Sequence, residues 1–207
     1  EDMQYISHQF PQRWRDLHVY THPDSSKRLV GTVENGPMYF TDDMGKTWHS
    51  PIGLPSVIQN TIRNQQENNR LYTADKRKVY VSDDGGSSFS VLHDFGSDSI
   101  QRLYTPRYDV QPGAETVYLA RGGKLYSWSG STFTLHGTFD SNASSINDDN
   151  QYQLNGDSRY LYAYFKKSGE SEAYFMVSTN NGISWIRNHP RSAYYNEPSG
   201  TAAAFSF

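Results

Sequence analysis

The sequence contains no cysteine, which excludes disulfide bonds and thiolate chemistry. It has no apolar run near 18 residues, so no membrane-spanning helix is predicted. Lysine and arginine number 19 against 22 acidic residues, and this near balance argues against a nucleic-acid partner. No segment keeps a 3.6-residue hydrophobic period, so we expect almost no helix. No secretory leader precedes Glu1, which suggests a mature product or a piece of a longer chain.

Aromatic residues are what the chain has in abundance. They make up 14% of its 207 residues, whereas all hydrophobic types together reach only 35%. We therefore expect a core in which large flat rings supply much of the packing. The length suffices for one sizeable domain.

A short pattern recurs along the chain. It reads YFTDDMGKTW at 39–48, YVSDDGGSSF at 80–89 and MVSTNNGISW at 176–185, and a degenerate copy, LYSWSGSTF, lies at 125–133. The glycines of the four copies are spaced by 41, 44 and 52 residues. Such spacing indicates one supersecondary unit repeated along the chain.

Each unit predicts four short strands, rich in β-branched and aromatic residues and separated by Gly, Asn, Asp, Ser and Pro. The pattern connects the third strand to the fourth, which in the first unit is predicted at 47–49. Four strands in roughly 45 residues are typical of a β-propeller blade. The predicted fold is therefore all-β, a β-propeller of four-stranded antiparallel blades.

The units place four blades within a single propeller domain or propeller segment, 1–207. Their approximate bounds are 15–55, 56–98, 99–140 and 150–191, with partial blade strands at 1–14 and 192–207. The ring closes with five blades, or the chain is an excerpt of a larger ring whose further blades come from the same or another chain. We favour the excerpt, because an open sheet edge is normally covered.

The pattern is best explained as a turn. Its hydroxyl can bond across the hairpin, its Asp or Asn can accept from turn N–H groups, and its glycine can take a positive φ. The aromatic residue then packs between sheets. Asn180 supports this interpretation, because a turn acceptor tolerates asparagine where a catalytic acid or calcium ligand would not. The residues in these structural roles are Thr41, Asp43, Gly45, Trp48, Ser82, Asp84, Gly86, Phe89, Ser178, Asn180, Gly182 and Trp185.

These residues resemble the Asp-box, or BNR repeat, Ser/Thr-x-Asp-x-Gly-x-Thr/Ser-Trp/Phe. The resemblance is full in the first two copies, has asparagine for aspartate at 178–185 and is degenerate at 127–133. Asp-box propellers include sialidases, xyloglucanase-type glycosidases, sortilin-like receptors, lectins and photosystem assembly factors. The resemblance implies a propeller with its boxes on the blade periphery, away from the ligand face. It selects no single function.

Propeller ligands generally bind at the mouth of the central channel, near the loops between strands two and three. Here those loops carry cations in three neighbouring units, which predicts a basic rim for an anionic sugar, a phosphate or an acidic peptide. The alternative is a set of ordinary solvated hairpin tips. The candidate ligand-face residues are Lys76, Arg77, Arg121, Lys124 and Lys166.

No catalytic residue is predicted. A glycosidase needs two carboxylates facing each other across the channel, and no spacing selects such a pair. The carboxylates available in the loops are Glu34, Asp94, Asp98 and Glu197. The Arg-Ile-Pro motif that a sialidase resemblance would require is absent.

No metal site and no cofactor are predicted either. One long loop is rich in acidic residues. We interpret it as a polar loop rather than a calcium site, because the spacing of these residues does not resemble a calcium-binding loop. Those residues are Asp140, Asp148 and Asp149. Histidines recur just after the pattern, and the repeat explains them as well as a metal or sugar site would. They are His49, His93, His136 and His189. An alternating tyrosine run at 160–164 indicates packing between blades more simply than a sugar platform.

The sequence thus predicts an extracellular or cell-surface Asp-box propeller that binds a carbohydrate or protein ligand without catalysis. One alternative is a segment of a xyloglucanase-like glycoside hydrolase that uses two carboxylates across the propeller cleft. A second is a segment of a sortilin-like receptor.

Overall fold

The computed structural model describes residues 13–21, 26–58, 60–63, 69–96, 100, 102–104, 117–128, 130–138, 152–156, 161–166, 173–180 and 182–188. In these ranges the chain forms fifteen β-strands and no helix, so the prediction of an all-β chain is confirmed. Accordingly, none of these ranges contains a helix able to cross a membrane.

The strands form four antiparallel sheets, each of which follows the order of the chain. Sheet 1 contains β1 (Trp14–Thr21), β2 (Lys27–Val33) and β3 (Met38–Thr41). Sheet 2 contains β4 (Asn60–Arg63), β5 (Leu71–Ala74), β6 (Lys78–Ser82) and β7 (Ser90–Asp94). Sheet 3 contains β8 (Arg102–Tyr104), β9 (Tyr118–Arg121), β10 (Lys124–Trp128) and β11 (Phe133–Thr138). Sheet 4 contains β12 (Tyr152–Gly156), β13 (Leu161–Lys166), β14 (Ala173–Ser178) and β15 (Ile186–Asn188).

Tight hairpins keep neighbouring strands in register. Between β9 and β10, Arg121 pairs with Lys124, and only Gly122 and Gly123 separate them. Both glycines have positive φ angles, 56° and 69°. A two-residue turn with two positive φ angles has the twist that antiparallel strands require, which explains the two glycines at this point.

Sheet 1 has three strands among the residues described, so the fourth strand predicted at 47–49 is wrong. It is reduced to one bridge between Phe40 and His49. Pro51 follows and has no N–H to continue a ladder. The chain instead crosses to sheet 2, where the Ile52 N–H donates to the Ser87 carbonyl at 3.0 Å.

The core lies between facing sheets rather than within any one sheet. Between sheets 1 and 2 the buried residues are Val30, Met38, Ile58, Leu71, Tyr80 and Phe89. Between sheets 2 and 3 they are Tyr72, Ala74, Val79, Ile100, Leu103, Val117, Leu119 and Phe133. Between sheets 3 and 4 they are Tyr104, Tyr118, Ala120, Leu125, Leu161 and Met176.

Strand β5 shows what this stacking demands of the sequence. All four of its residues are buried, because successive side chains point to opposite faces and both faces are covered. Leu71 packs toward sheet 1, whereas Tyr72 packs toward sheet 3. The division into blades and the closing of a ring stay predictions.

Candidate functional site

Box 1, residues 41–48, is a hairpin closed by its own side chains. The Thr41 hydroxyl donates to Asp43 Oδ1 at 2.7 Å and accepts from the Gly45 N–H at 3.0 Å. The Asp43 carboxylate accepts from the Thr47 N–H at 2.9 Å and from the Thr47 hydroxyl at 2.6 Å. Gly45 has a φ of 89°, which disfavours any residue with a Cβ. These are the bonds that a turn requires.

Box 2, residues 82–89, repeats the arrangement. Asp84 accepts from the Ser87 and Ser88 N–H groups at 2.9 and 3.0 Å and from the Ser88 hydroxyl at 2.6 Å. The Gly86 N–H donates to Ser82 Oγ at 2.8 Å. Both intact boxes therefore aim their carboxylates at their own hairpins.

Box 4, the fourth copy of the pattern along the chain (residues 178–185), achieves the same closure with an amide. Asn180 Oδ1 accepts from the Ser184 N–H at 2.9 Å, and its Nδ2 donates to Ser184 Oγ at 2.8 Å. The Trp185 indole N–H donates to the Gly182 carbonyl at 3.0 Å. An uncharged acceptor thus serves at this position.

The same bonds shift the acidity of the box carboxyls. Hydrogen bonds from Thr47 and Thr41 hold the pKa of Asp43 far below its ordinary value of 3.8. Burial by itself would raise the pKa of Asp84, but donors on Ser88, Ser82 and Ser87 together outweigh it and lower that pKa. A general acid needs a raised pKa, so neither group is suited to protonate a leaving group.

A buried arginine links boxes 1 and 2, and sequence reasoning missed it. Arg28 is 9% exposed and bonds both carboxylate oxygens of Asp42 at 2.6 and 2.7 Å. Its Nη1 donates to the Asp84 carbonyl at 3.1 Å and to Ser87 Oγ at 2.5 Å. Its guanidinium lies 4.5 Å from the centre of the Phe40 ring. This side chain therefore ties sheet 1 to the hairpin of sheet 2.

The signal for this arginine was the doubled aspartate. In the first two boxes an additional Asp precedes the turn aspartate, and an Arg lies just inside or just before the start of the second strand of the same unit. The second pair, Arg70 and Asp83, is also bonded, at 2.5 Å. The first aspartate holds an arginine, whereas the second closes the turn.

The rim junction lies at the opposite edge of the sheets, since β6 runs from Lys78 at the rim to Ser82 at the box. We define it as Asp75, Lys76, Arg77, Asp94, Phe95 and Arg121. Here the hairpin between the second and third strands of sheet 2 meets the connection to sheet 3. The Phe95 N–H donates to the Arg77 carbonyl at 3.1 Å, and the Ile100 N–H donates to the Lys76 carbonyl at 2.7 Å.

Two charged side chains of the rim junction are held by each other. Arg77 bonds both carboxylate oxygens of Asp94 at 2.6 and 2.8 Å. Hydrogen bonds from Arg77 and from the Gly96 N–H lower the pKa of Asp94. Asp94 therefore stays ionised, which does not suit a general acid.

Arg121, from sheet 3, completes the rim junction. Its guanidinium lies 4.6 Å from the centre of the Phe95 ring and 5.8 Å from that of Tyr126. Phe95 also packs edge-on against His93 at 4.4 Å. Stacking on rings fixes a guanidinium with little loss of its donors. Two sheets thus contribute to one fixed surface of charges and rings.

Of the predicted ligand-face residues, three belong to the rim junction and Lys124 is exposed beside it. Lys166 ends β13, but its side chain lies outside the described residues. So do Asp98, Glu197 and the acidic loop at 140–149. His189 and Tyr160 are also outside them.

The repeated histidines that the structure describes pack against rings of their own surroundings. The ring centres lie 5.5 Å apart for His49 and Phe40, 4.4 Å for His93 and Phe95, and 5.5 Å for His136 and Tyr118. Across the described ranges, no group of three His, Asp or Glu residues is placed to hold a metal.

Two buried isoleucines also escaped sequence reasoning. Ile58 and Ile100 lie in the connections to the next sheet, and each is 1% exposed or less. The N–H of Ile58 donates to the Gly36 carbonyl, as that of Ile100 donates to Lys76. Each therefore pins a connection to the hairpin of the preceding sheet. The Ile-Gln pair at 58–59 and 100–101 was the available signal.

Comparison with known proteins agrees with this architecture. Residues 39–50 match the BNR/Asp-box repeat. An ancestral GH74 enzyme has a similar structure, with a TM-score of 0.63 at 18% identity over 89% of this chain and 25% of its own. The GH74 xyloglucanase from Xanthomonas campestris gives 0.55 at 22% identity over 80% of this chain and 23% of its own.

The chain spans about a quarter of the length of these two structures. No curated protein sequence matches it. The resemblance to Asp-box propellers that the sequence suggested is nevertheless confirmed, by the repeat and by the shared fold. The chain has an all-β propeller fold with a BNR/Asp-box repeat at 39–50, and it is similar in fold to these two GH74 structures.

Proposed function

We propose that this module binds a carbohydrate or protein ligand at the rim junction and is not itself catalytic. The observation that carries the proposal is the Arg77–Asp94 pair beside the Arg121–Phe95 stack. It joins two sheets into one preorganised polar and aromatic surface. Preorganised side chains lose little conformational freedom when a ligand binds.

The charge of this surface favours ligands with acceptor groups. Lys76, Arg77, Arg121 and the neighbouring Lys78 and Lys124 outnumber Asp75 and Asp94 there. Arginine and lysine donors suit hydroxyl, carboxylate and sulfate oxygens. This donor chemistry is consistent with a propeller that binds such ligands outside the cell. We therefore propose an extracellular or cell-surface location.

A second candidate is a segment of a glycoside hydrolase, and the similarity to GH74 structures favours it. That function requires an acid with a raised pKa opposite a second carboxylate. The pKa of Asp94 is shifted downward instead, mainly by its hydrogen bond from Arg77. Asp94 is therefore not suited to be that acid.

Binding is tested with immobilised neutral and uronate-containing oligosaccharides, together with xyloglucan. We expect retention of at least one glycan class, and about tenfold weaker retention for Arg121→Ala, which loses a central anchor. Lys46→Ala is the matched control, because Lys46 is exposed on the box hairpin at the opposite edge.

Two results would contradict the proposal. Release of reducing ends from xyloglucan by the purified chain would show catalysis and support the second candidate. Equal loss of retention in the Arg121 and Lys46 variants would show that the ligand does not bind specifically at the rim junction.

A further inference from the structure

The hairpin at the rim end of sheet 2 differs from its counterpart in sheet 3. In sheet 3 the two turn residues are glycines with positive φ angles. Sheet 2 also turns in two residues, since the Asp75 N–H donates to the Lys78 carbonyl at 3.1 Å. Here the turn residues are Lys76 and Arg77, and neither has a positive φ. This turn therefore lacks the backbone twist that favours a two-residue hairpin.

The Asp75 side chain supplies the bonds that this turn needs. Its Oδ1 accepts from the Arg77 N–H and from the Lys78 N–H, each at 2.6 Å. Its Oδ2 accepts from the Tyr80 hydroxyl at 2.8 Å. Aspartate side chains commonly accept from backbone N–H groups a few residues further on. Asp75 thus closes the rim hairpin much as Asp84 closes box 2 at the opposite edge of the same sheet.

Tyr80 connects the Asp75 carboxylate to the core between sheets 1 and 2. It is 5% exposed and belongs to the buried cluster there. Burial raises the pKa of Tyr80, and the hydrogen bond to Asp75 raises it further. The hydroxyl therefore stays protonated and donates to Asp75 throughout the neutral pH range. A buried donor thus fixes the carboxylate that closes the hairpin.

These contacts hold Arg77 both at its backbone and at its head group. Its N–H donates to Asp75, and its carbonyl accepts from the Phe95 N–H at 3.1 Å. Its guanidinium donates to both carboxylate oxygens of Asp94. The side chain is nevertheless 56% exposed, so a ligand can reach it. A long side chain that is already fixed loses little conformational freedom on binding.

We propose that Asp75 is a positioning residue of the rim junction, which holds Arg77 in the orientation that binds the ligand. This inference rests on the proposed function. The glycines that form the equivalent turn in sheet 3 are replaced here by two cations, and the Asp75 carboxylate compensates for their absence. Asp75 acts through Arg77, because its own oxygens accept from the hairpin and from Tyr80.

Retention on the immobilised glycans tests this role, with Asp75→Ala as the test and Asp84→Ala as the matched control. Each substitution removes the acceptor of two backbone N–H groups in sheet 2, so urea denaturation should show similar losses of stability. We expect about fivefold weaker retention for Asp75→Ala alone. Asp75→Asn should restore retention, because an amide oxygen accepts the equivalent bond from Asn180 in box 4.

A double-mutant cycle shows whether Asp75 acts through Arg77. In a chain that already carries Arg77→Ala, the further change Asp75→Ala should weaken retention no more. Additive losses would overturn the inference, as would equal losses of retention in the Asp75→Ala and Asp84→Ala chains. Either result would leave the proposed function standing, because the wild-type chain would still be retained.

Amide hydrogen exchange gives a second readout that needs no ligand. The Arg77 and Lys78 N–H groups should exchange about tenfold faster in Asp75→Ala, whereas the Gly86 N–H in box 2 should not change. Unchanged exchange at Arg77 and Lys78 would contradict the inference. If these amides respond as expected but no glycan retains the wild-type chain, the proposed function fails and the hold of Asp75 on Arg77 is confirmed.

Discussion

Adjacent aspartates have different tasks in the first two boxes. Asp42 holds the buried Arg28, whereas Asp43 closes its own hairpin. The sequence predicted the second task, because a turn acceptor at a fixed distance from a glycine has a local cause. It did not predict the first, since Arg28 meets Asp42 only when β2 and β3 pair, and meets Ser87 only after sheets 1 and 2 have stacked.

Two substitutions of Asp84 distinguish the hydrogen bonds that its side chain accepts from the negative charge that it carries. Asp84→Ala leaves the Ser87 and Ser88 N–H groups without their acceptor and should cost about 1–2 kcal/mol of unfolding free energy. Asp84→Asn should cost less, because Asn180 makes the equivalent bonds in box 4. Urea denaturation measures both variants. Equal losses for Ala and Asn would mean that charge, rather than hydrogen bonding, closes the turn.

The lowered pKa values of Asp43 and Asp84 predict a loss of stability in acid. A carboxyl whose pKa is lower in the folded state stabilises it fully above the unfolded pKa, near 3.8, and progressively less as pH falls below it. The melting temperature should therefore fall below about pH 4. The Asp43→Asn/Asp84→Asn double variant should show a shallower fall over that range. If the melting temperature of the double variant fell as steeply with pH as that of the wild type, Asp43 and Asp84 would not contribute to the loss of stability in acid.

Among the elements, the connection after box 1 departs most from the repeat. Pro51 ends the sheet 1 ladder, and Ile52 then pairs in parallel with Ser88. Strand positions in the other units followed from alternation and turn residues, which are local signals. The parallel bridge could not be predicted, because its partner lies 36 residues away in another sheet.

Gly53 makes this connection possible. Its φ is +87°, and a Cβ there would lie 2.1 Å from the Phe89 carbonyl oxygen. Gly130 has a similar φ of +90° with open space around it. Gly130→Ala should therefore cost only the backbone strain, about 1–2 kcal/mol, and Gly53→Ala about 1–3 kcal/mol more. Guanidinium denaturation compares them, and equal costs would contradict the close approach.

At the scale of the whole molecule, the repeat gives the sheets two different edges. The boxes lie along one edge, and the rim junction lies along the other. The sequence predicted this separation from the resemblance to Asp-box propellers. It did not predict that the charged side chains of the rim junction bind one another and stack on rings. The Arg77–Asp94 pair and the Arg121–Phe95 stack join residues that are well separated in the chain.

Amide hydrogen exchange tests the central claim, that the boxes are turn locks at the edge of stacked sheets. The Gly45, Gly86 and Gly182 N–H groups are buried and donate to the box hydroxyls. The account predicts slow exchange at all three, comparable to that of amides in the central strands and far slower than at the exposed Gly130. Exchange at the rate of an unstructured peptide at these three glycines would contradict it.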